Sequence, residues 1–146
     1  MQQRINMPAV LPAAYKAMIQ FSNQVTLTHL SQIQKELIKI RASQINGCAF
    51  CLDMHTKDAR KLGETEQRIY TLSAWRDTAY FTREERAILA LTETVTLISS
   101  HVPDEVYSSA QLVLTAEQIA EVIMATIVIN AWNRIAISTH MMPPLG

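Results

Sequence analysis

Asn46-Gly47-Cys48-Ala49-Phe50-Cys51-Leu52-Asp53-Met54-His55 is the stretch on which the fold turns. Asn and Gly both tolerate the left-handed backbone that ends a helix, so Asn46-Gly47 marks a stop. Upstream, Ile33, Leu37, Ile40 and Ala42 recur at roughly helical spacing behind Ser31 and Gln34, an S-x-x-Q capping box. Downstream, a second helix is expected from Cys48 or Phe50 through Leu62, ended by Gly63. A chain that reverses at Asn46-Gly47 makes these two helices antiparallel and sets the cysteines at or near the N-terminus of the second.

The same signals continue in both directions. Pro12 suits the first turn of a helix carrying Tyr15, Met18, Ile19, Val25 and Leu27 as a loose apolar stripe. Thr65 caps a short helix with Ile69, Leu72 and Trp75. Thr82 and Glu85 form a second capping box before Ile88, Leu89, Leu91, Val95 and Ile98, and Pro103-Asp104 opens another short helix. Thr115 and Gln118 form a third box before a long helix reaching about Thr139. No stretch shows the period-two alternation of a strand, and no repeat or linker divides the chain. The expectation is therefore all-α: one compact helical domain over residues 1–146, with the C-x-x-C at a helix N-terminus.

Composition removes several function classes. The formal net charge is zero, and no Lys/Arg cluster marks a face for nucleic acid. Residues 1–18 carry Pro8 and Pro12 and lack the apolar core of a signal peptide. The longest apolar run, near Val122 to Trp132, is about half of the roughly 20 residues that span a bilayer. No membrane partner is expected, and the chain reads as soluble and cytoplasmic. From Val122 to Ile129 the last helix is apolar nearly all round, which implies burial on every side, with part of it expected from another subunit and a central helix wrapped by its own domain as the alternative. Within that helix Asn130, Asn133 and Arg134 need partners, expected from backbone or a neighbouring subunit. Trp75 and Trp132 read as core or interface residues.

In a reducing compartment two cysteines are catalytic or metal-binding more often than structural. On a helix Cys48 and Cys51 are i,i+3 and Cys51 and His55 are i,i+4, so all three share a face. Sulfurs one turn apart can form a reversible disulfide. Free N–H groups at the helix start favour a thiolate, and His55 can take the proton of Cys51. Cys51, nearer His55, is the expected nucleophile toward a peroxide O–O bond. Cys48, expected to lie exposed at the loop junction, is the resolving thiol. Glu36 and His55 stand ten and nine residues from Asn46, on opposite sides of the reversal, so they should meet and form a Glu–His–Cys proton relay. Zinc is disfavoured, since there is no second C-x-x-C or H-x-x-x-H, and a thioredoxin-like site would need strands. No metal and no cofactor are expected.

Glu36, Cys48, Cys51 and His55 at this spacing, with Asn46-Gly47 before them and Gly63 after, resemble the active-site signature of the alkylhydroperoxidase D-like group. That group lies within the carboxymuconolactone decarboxylase superfamily. Asn130-Ala131-Trp132-Asn133-Arg134 resembles a stretch that family often carries in its last helix, and the likeness extends over roughly residues 15–140. It implies an all-α fold, assembly into trimers or hexamers, and peroxide reduction with Cys51 peroxidatic, Cys48 resolving and Glu36 and His55 relaying protons. It also implies an external dithiol or protein reductant, lipoyl-bearing in the best-studied branch. That branch carries a histidine just before the second cysteine, where this chain has Phe50, which is expected to form an apolar wall or simply to pack. Two other readings stay open: a cofactor-free decarboxylase acting on a cyclic lactone acid, which needs no C-x-x-C, and a non-enzymatic redox sensor whose disulfide switches oligomer contacts.

Overall fold

The structure, a computed structural model, describes residues 2–145. The described residues form helices and turns and no strand, as the sequence predicts. In chain order the α-helices are α1 (Met7–Val10), α2 (Pro12–Gln24), α3 (Gln32–Asn46), α4 (Ala49–Lys61), α5 (Glu66–Thr71), α6 (Arg83–Thr96), α7 (Asp104–Gln111) and α8 (Ala116–Thr139).

The helix starts follow the sequence signals closely. Ser31, Thr82 and Thr115 each accept the backbone N–H three residues on, and Gln34, Glu85 and Gln118 return the bond to the cap backbone. Thr65 caps α5 in the same way, through Arg68 N–H. Gly47 ends α3 at φ 70°, the left-handed region that a side chain enters only with strain.

Three helix ends differ from expectation. The helix begun at Pro12 stops at Gln24, so Val25 and Leu27 lie beyond it. The helix begun at Thr65 breaks, and Leu72–Asp77 continue as a 3₁₀ segment with Ala74 out of helical geometry (φ −118°, ψ 30°). The helix begun at Thr82 stops at Thr96, so Ile98 falls in a separate 3₁₀ turn, Ile98–Ser100. Thr94, Val95 and Thr96 are β-branched and weak helix formers, which suits a helix end.

The body is an antiparallel α3–α4 pair packed on α8 and α6. One core cluster joins Ile38, Ile88, Leu91, Ala110, Ile119 and Val122, between α3, α6, α7 and α8. A second joins Leu37, Ile40, Ala59, Leu72, Trp75 and Leu89 on the other side of α3. The Trp75 indole N–H donates to Glu93 at 2.8 Å, and Arg41 (2.8 Å) and Arg76 (2.6 Å) close on the same carboxylate. Burial would raise the Glu93 carboxyl, but these donors outweigh it and hold it below the usual carboxylate range.

Over its full 24 residues α8 has the length and apolar composition of a membrane span, more than the short run suggests. Here it is a core helix against α3 and α6, and its buried polar residues turn inward. Glu121 accepts the backbone N–H groups of Thr28 (2.9 Å), His29 (3.0 Å) and Leu30 (3.0 Å), tying the loop before α3 to α8. Its burial is incomplete within one chain, since Ile127 and Ile137 stand 43 % and 41 % exposed.

Candidate active site

The site begins where α3 ends. Gly47 turns the chain, and Cys48 occupies the N-cap of α4 with extended backbone (φ −87°, ψ 93°). Its Sγ accepts the Cys51 N–H at 3.4 Å, so a sulfur stands where a capping oxygen usually would. Cys48 and Cys51 are disulfide-bonded, with Cα atoms 5.4 Å apart. Cys51 lies in the first turn of α4, where unpaired N–H groups and the helix dipole favour negative charge on sulfur once the bond is reduced.

Both sulfurs are withdrawn from solvent. The expected exposure of Cys48 is not found: it is 1 % exposed and Cys51 2 %. The reason is α8, whose Ile129 and Ala136 close over the junction together with Ala42. The two cysteines nevertheless differ, because Cys51 lines a cavity and Cys48 does not.

That cavity has a volume of about 470 Å³, within the range of small-molecule sites. Cys51 and His55 lie on its wall with Phe50 and Met54 of α4. Val128, Ile129 and Trp132 of α8 face them, and Tyr15 and Ile19 of α2 cover them. The α2 stripe thus borders a cavity rather than sinking into the core, and no α2 residue is fully buried. The Tyr15 ring meets Trp132 edge-on at 5.6 Å, and the Trp132 indole N–H donates to Ser22 Oγ at 3.3 Å. Trp132, read from sequence as core or interface, is a wall of this cavity, and so is Phe50.

Glu36 and His55 meet across the α3–α4 pair, with His55 Nδ1 2.9 Å from Glu36 Oε2. Burial alone would raise the Glu36 carboxyl. Hydrogen bonds from His55 and Lys39 outweigh it and hold Glu36 below the usual carboxylate range. An ionised Glu36 requires a proton on Nδ1, which leaves Nε2 as the free acceptor of a neutral imidazole. Lys39 Nζ reaches the other oxygen of Glu36 at 2.7 Å, a neighbour the motif did not announce.

The polar residues of α8 find partners within the chain: α3 side chains, Thr96 of α6, and the backbone of α8, where Asn130 donates to Thr126 O at 2.8 Å and Arg134 to Asn130 O at 3.0 Å. The Asn46 amide donates to Asn130 Oδ1 and Asn133 Oδ1, both at 2.9 Å. Asn133, with no exposed surface, donates to Ser43 Oγ at 3.0 Å, and Asn130 to Thr96 Oγ1 at 3.1 Å. Arg134 is exposed and bonds to Asn130 on its own helix. The asparagines therefore brace the turn that carries the cysteines. The clue in the sequence was two amides in an apolar helix and a third at the turn. Among the described residues, no group of three His, Cys, Asp or Glu side chains could hold a metal ion.

The comparisons with known proteins agree with this architecture. Uncharacterized protein YdfG of Bacillus subtilis (strain 168) is 45 % identical over 139 residues, covering 94 % of this chain and 95 % of its own. A crystal structure from Agrobacterium tumefaciens superposes with a TM-score of 0.94 at 38 % identity, covering 99 % of this chain and 100 % of that one. It is a protein of unknown function, proposed there as the antioxidant defence protein AhpD. An uncharacterized peroxidase-related protein from Silicibacter sp. TM1040 superposes at 0.79 with 25 % identity, covering 91 % of this chain and 71 % of that one. The model of the carboxymuconolactone decarboxylase family matches residues 12–94, more than half the chain and all four of Glu36, Cys48, Cys51 and His55. The fold is of the AhpD type, and the chain belongs to the carboxymuconolactone decarboxylase family.

Proposed function

We propose that the protein is a thiol-dependent peroxidase working through the Cys48–Cys51 pair. The observation that carries this reading is asymmetry within the pair: Cys51 opens on an apolar cavity beside His55, while Cys48 lies behind it under α8. In the reduced protein His55 takes the Cys51 proton at Nε2, with Glu36 holding the ring through Nδ1. The Cys51 thiolate attacks the distal oxygen of a hydroperoxide. The O–O bond breaks, Cys51 becomes a sulfenic acid, and the leaving alkoxide takes the proton from His55 and departs as an alcohol. The Cys48 thiol then attacks the sulfenic sulfur, forming the disulfide and releasing water. An external dithiol reopens the disulfide by exchange and is itself oxidised. A protein reductant, a lipoyl-bearing one among them, fills that role, and a reducing cytoplasm is the compartment that suits it. We further propose that several copies assemble, as trimers or hexamers, over the apolar cleft bordered by Val95, Ile98, Tyr107, Ile123 and Ile127.

The test is a thiol count coupled to peroxide consumption. Reduced protein mixed with tert-butyl hydroperoxide should lose two thiols per chain and consume one peroxide, and added dithiothreitol should renew consumption. A single oxidation without renewed consumption would favour a redox sensor, and unchanged thiols would end the peroxidase reading.

A further inference from the structure

The cavity beside Cys51 has a charge that proton relay does not use. Two cations, Lys35 and Lys39, line it one helical turn apart on α3, and no Asp or Glu is among its lining residues. Lys39 is spoken for by Glu36 at 2.7 Å. Lys35 is half-buried and forms no ion pair among the described residues. Most of the remaining wall is apolar or aromatic, Ile19, Phe50, Val128, Ile129 and Trp132 among it, with Ser22, Asn23 and His55 as its polar members. One unmatched ammonium held against an apolar cavity is a recognition element for an anion carrying an apolar body, because water is a weaker competitor there than at an open surface.

We propose that Lys35 selects a carboxylate-bearing apolar hydroperoxide, with the carboxylate at Lys35, the apolar body along the α2 and α8 walls and the peroxide group at Cys51. This rests on the peroxidase reading for the chemistry, but the binding preference does not. Lys35 places the substrate and takes no part in the electron transfer. A neutral ester of the same body fills the same walls and leaves the ammonium unpaired, so it binds more weakly. The preference should shrink as salt screens the pair.

Binding is measured first on the oxidised protein, where no peroxide chemistry occurs, by titrating decanoate and decanol at pH 7.5 and following Trp132 fluorescence in a Trp75→Phe background. Decanoate should bind about ten-fold tighter than decanol at low ionic strength, a difference on the order of 1.4 kcal/mol. Lys35→Gln should bring the ratio near one, and Lys35→Arg should keep it. Calorimetric titration of the protein with Trp75 intact should give the same ratio. Equal affinities in the unaltered protein, or a ratio that Lys35→Gln does not change, would overturn the proposal. Turnover is measured next with a fatty-acid hydroperoxide and its methyl ester, and the acid should have the larger kcat/KM by a similar factor that Lys35→Gln abolishes. If no hydroperoxide is consumed while decanoate keeps its Lys35-dependent advantage, the peroxidase reading fails and the anion site stands.

Discussion

At the scale of single residues, one carboxylate is in contact with two cationic or protonatable groups. Glu36 sits between His55 at 2.9 Å and Lys39 at 2.7 Å, so its charge both orients the ring and neutralises a lysine at the cavity wall. Glu36→Gln keeps the shape and removes the charge. In the proposed cycle it should slow Cys51 oxidation by on the order of 10²-fold while the circular dichroism spectrum stays native, measured by stopped-flow mixing of reduced protein with peroxide. The roles of the two cysteines separate in the same way. A dimedone-type probe should trap sulfenic acid in Cys48→Ser, where nothing resolves it, and not in Cys51→Ser; the reverse pattern would exchange the roles. The spacing about Asn46 was enough to bring Glu36 to His55. It said nothing of Lys39 or Lys35, whose surroundings depend on α2 and α8 as much as on α3. It also misplaced Cys48, because a junction residue looks exposed until the helix that covers it, α8, is in position.

At the scale of elements, the α3–α4 turn is held by amides as well as by apolar contact with α8. Asn46, Asn130 and Asn133 share hydrogen bonds of 2.9 Å, and Ser43 completes the group at 3.0 Å. Asn133→Ala leaves Ser43 unpaired where water cannot reach and takes one of two acceptors from the half-buried Asn46 amide. It should cost about 2–3 kcal/mol in urea unfolding. Asn130→Ala should cost less, since the Asn46 amide retains Asn133. Gly47→Ala meets no atom within 4 Å, so its penalty is purely conformational, about 1 kcal/mol. The elements themselves were largely legible: all three capping boxes form, and Gly47 stops α3 where expected. The break at Ala74 was not legible, because Leu72 and Trp75 are drawn down onto the second core cluster and that pull comes from tertiary packing.

At the scale of the whole molecule, buried carboxylates set the acid limit of stability. Glu36 and Glu93 both have carboxyls held below the ordinary value of 4.5, so each contributes stability that is present above that value and lost as pH falls through the depressed one. The melting temperature should be nearly flat from pH 7 to 5 with respect to these groups and drop below about 4.5. Glu93→Gln should lower it at pH 7 by leaving Arg41 and Arg76 short of a partner, and should flatten the acid limb, measured by calorimetry across pH. One feature of the architecture bears on how a bulky molecule reaches Cys51. Helix α2 roofs the cavity with no fully buried residue, and its ring contact and side-chain hydrogen bond to the body both end on Trp132. A helix held this lightly opens without unfolding the body beneath it, so its amide hydrogens should exchange with solvent deuterium well before those of α3 and α8. For a molecule too bulky to pass α2 as it stands, the frequency of that opening then limits how fast it is admitted.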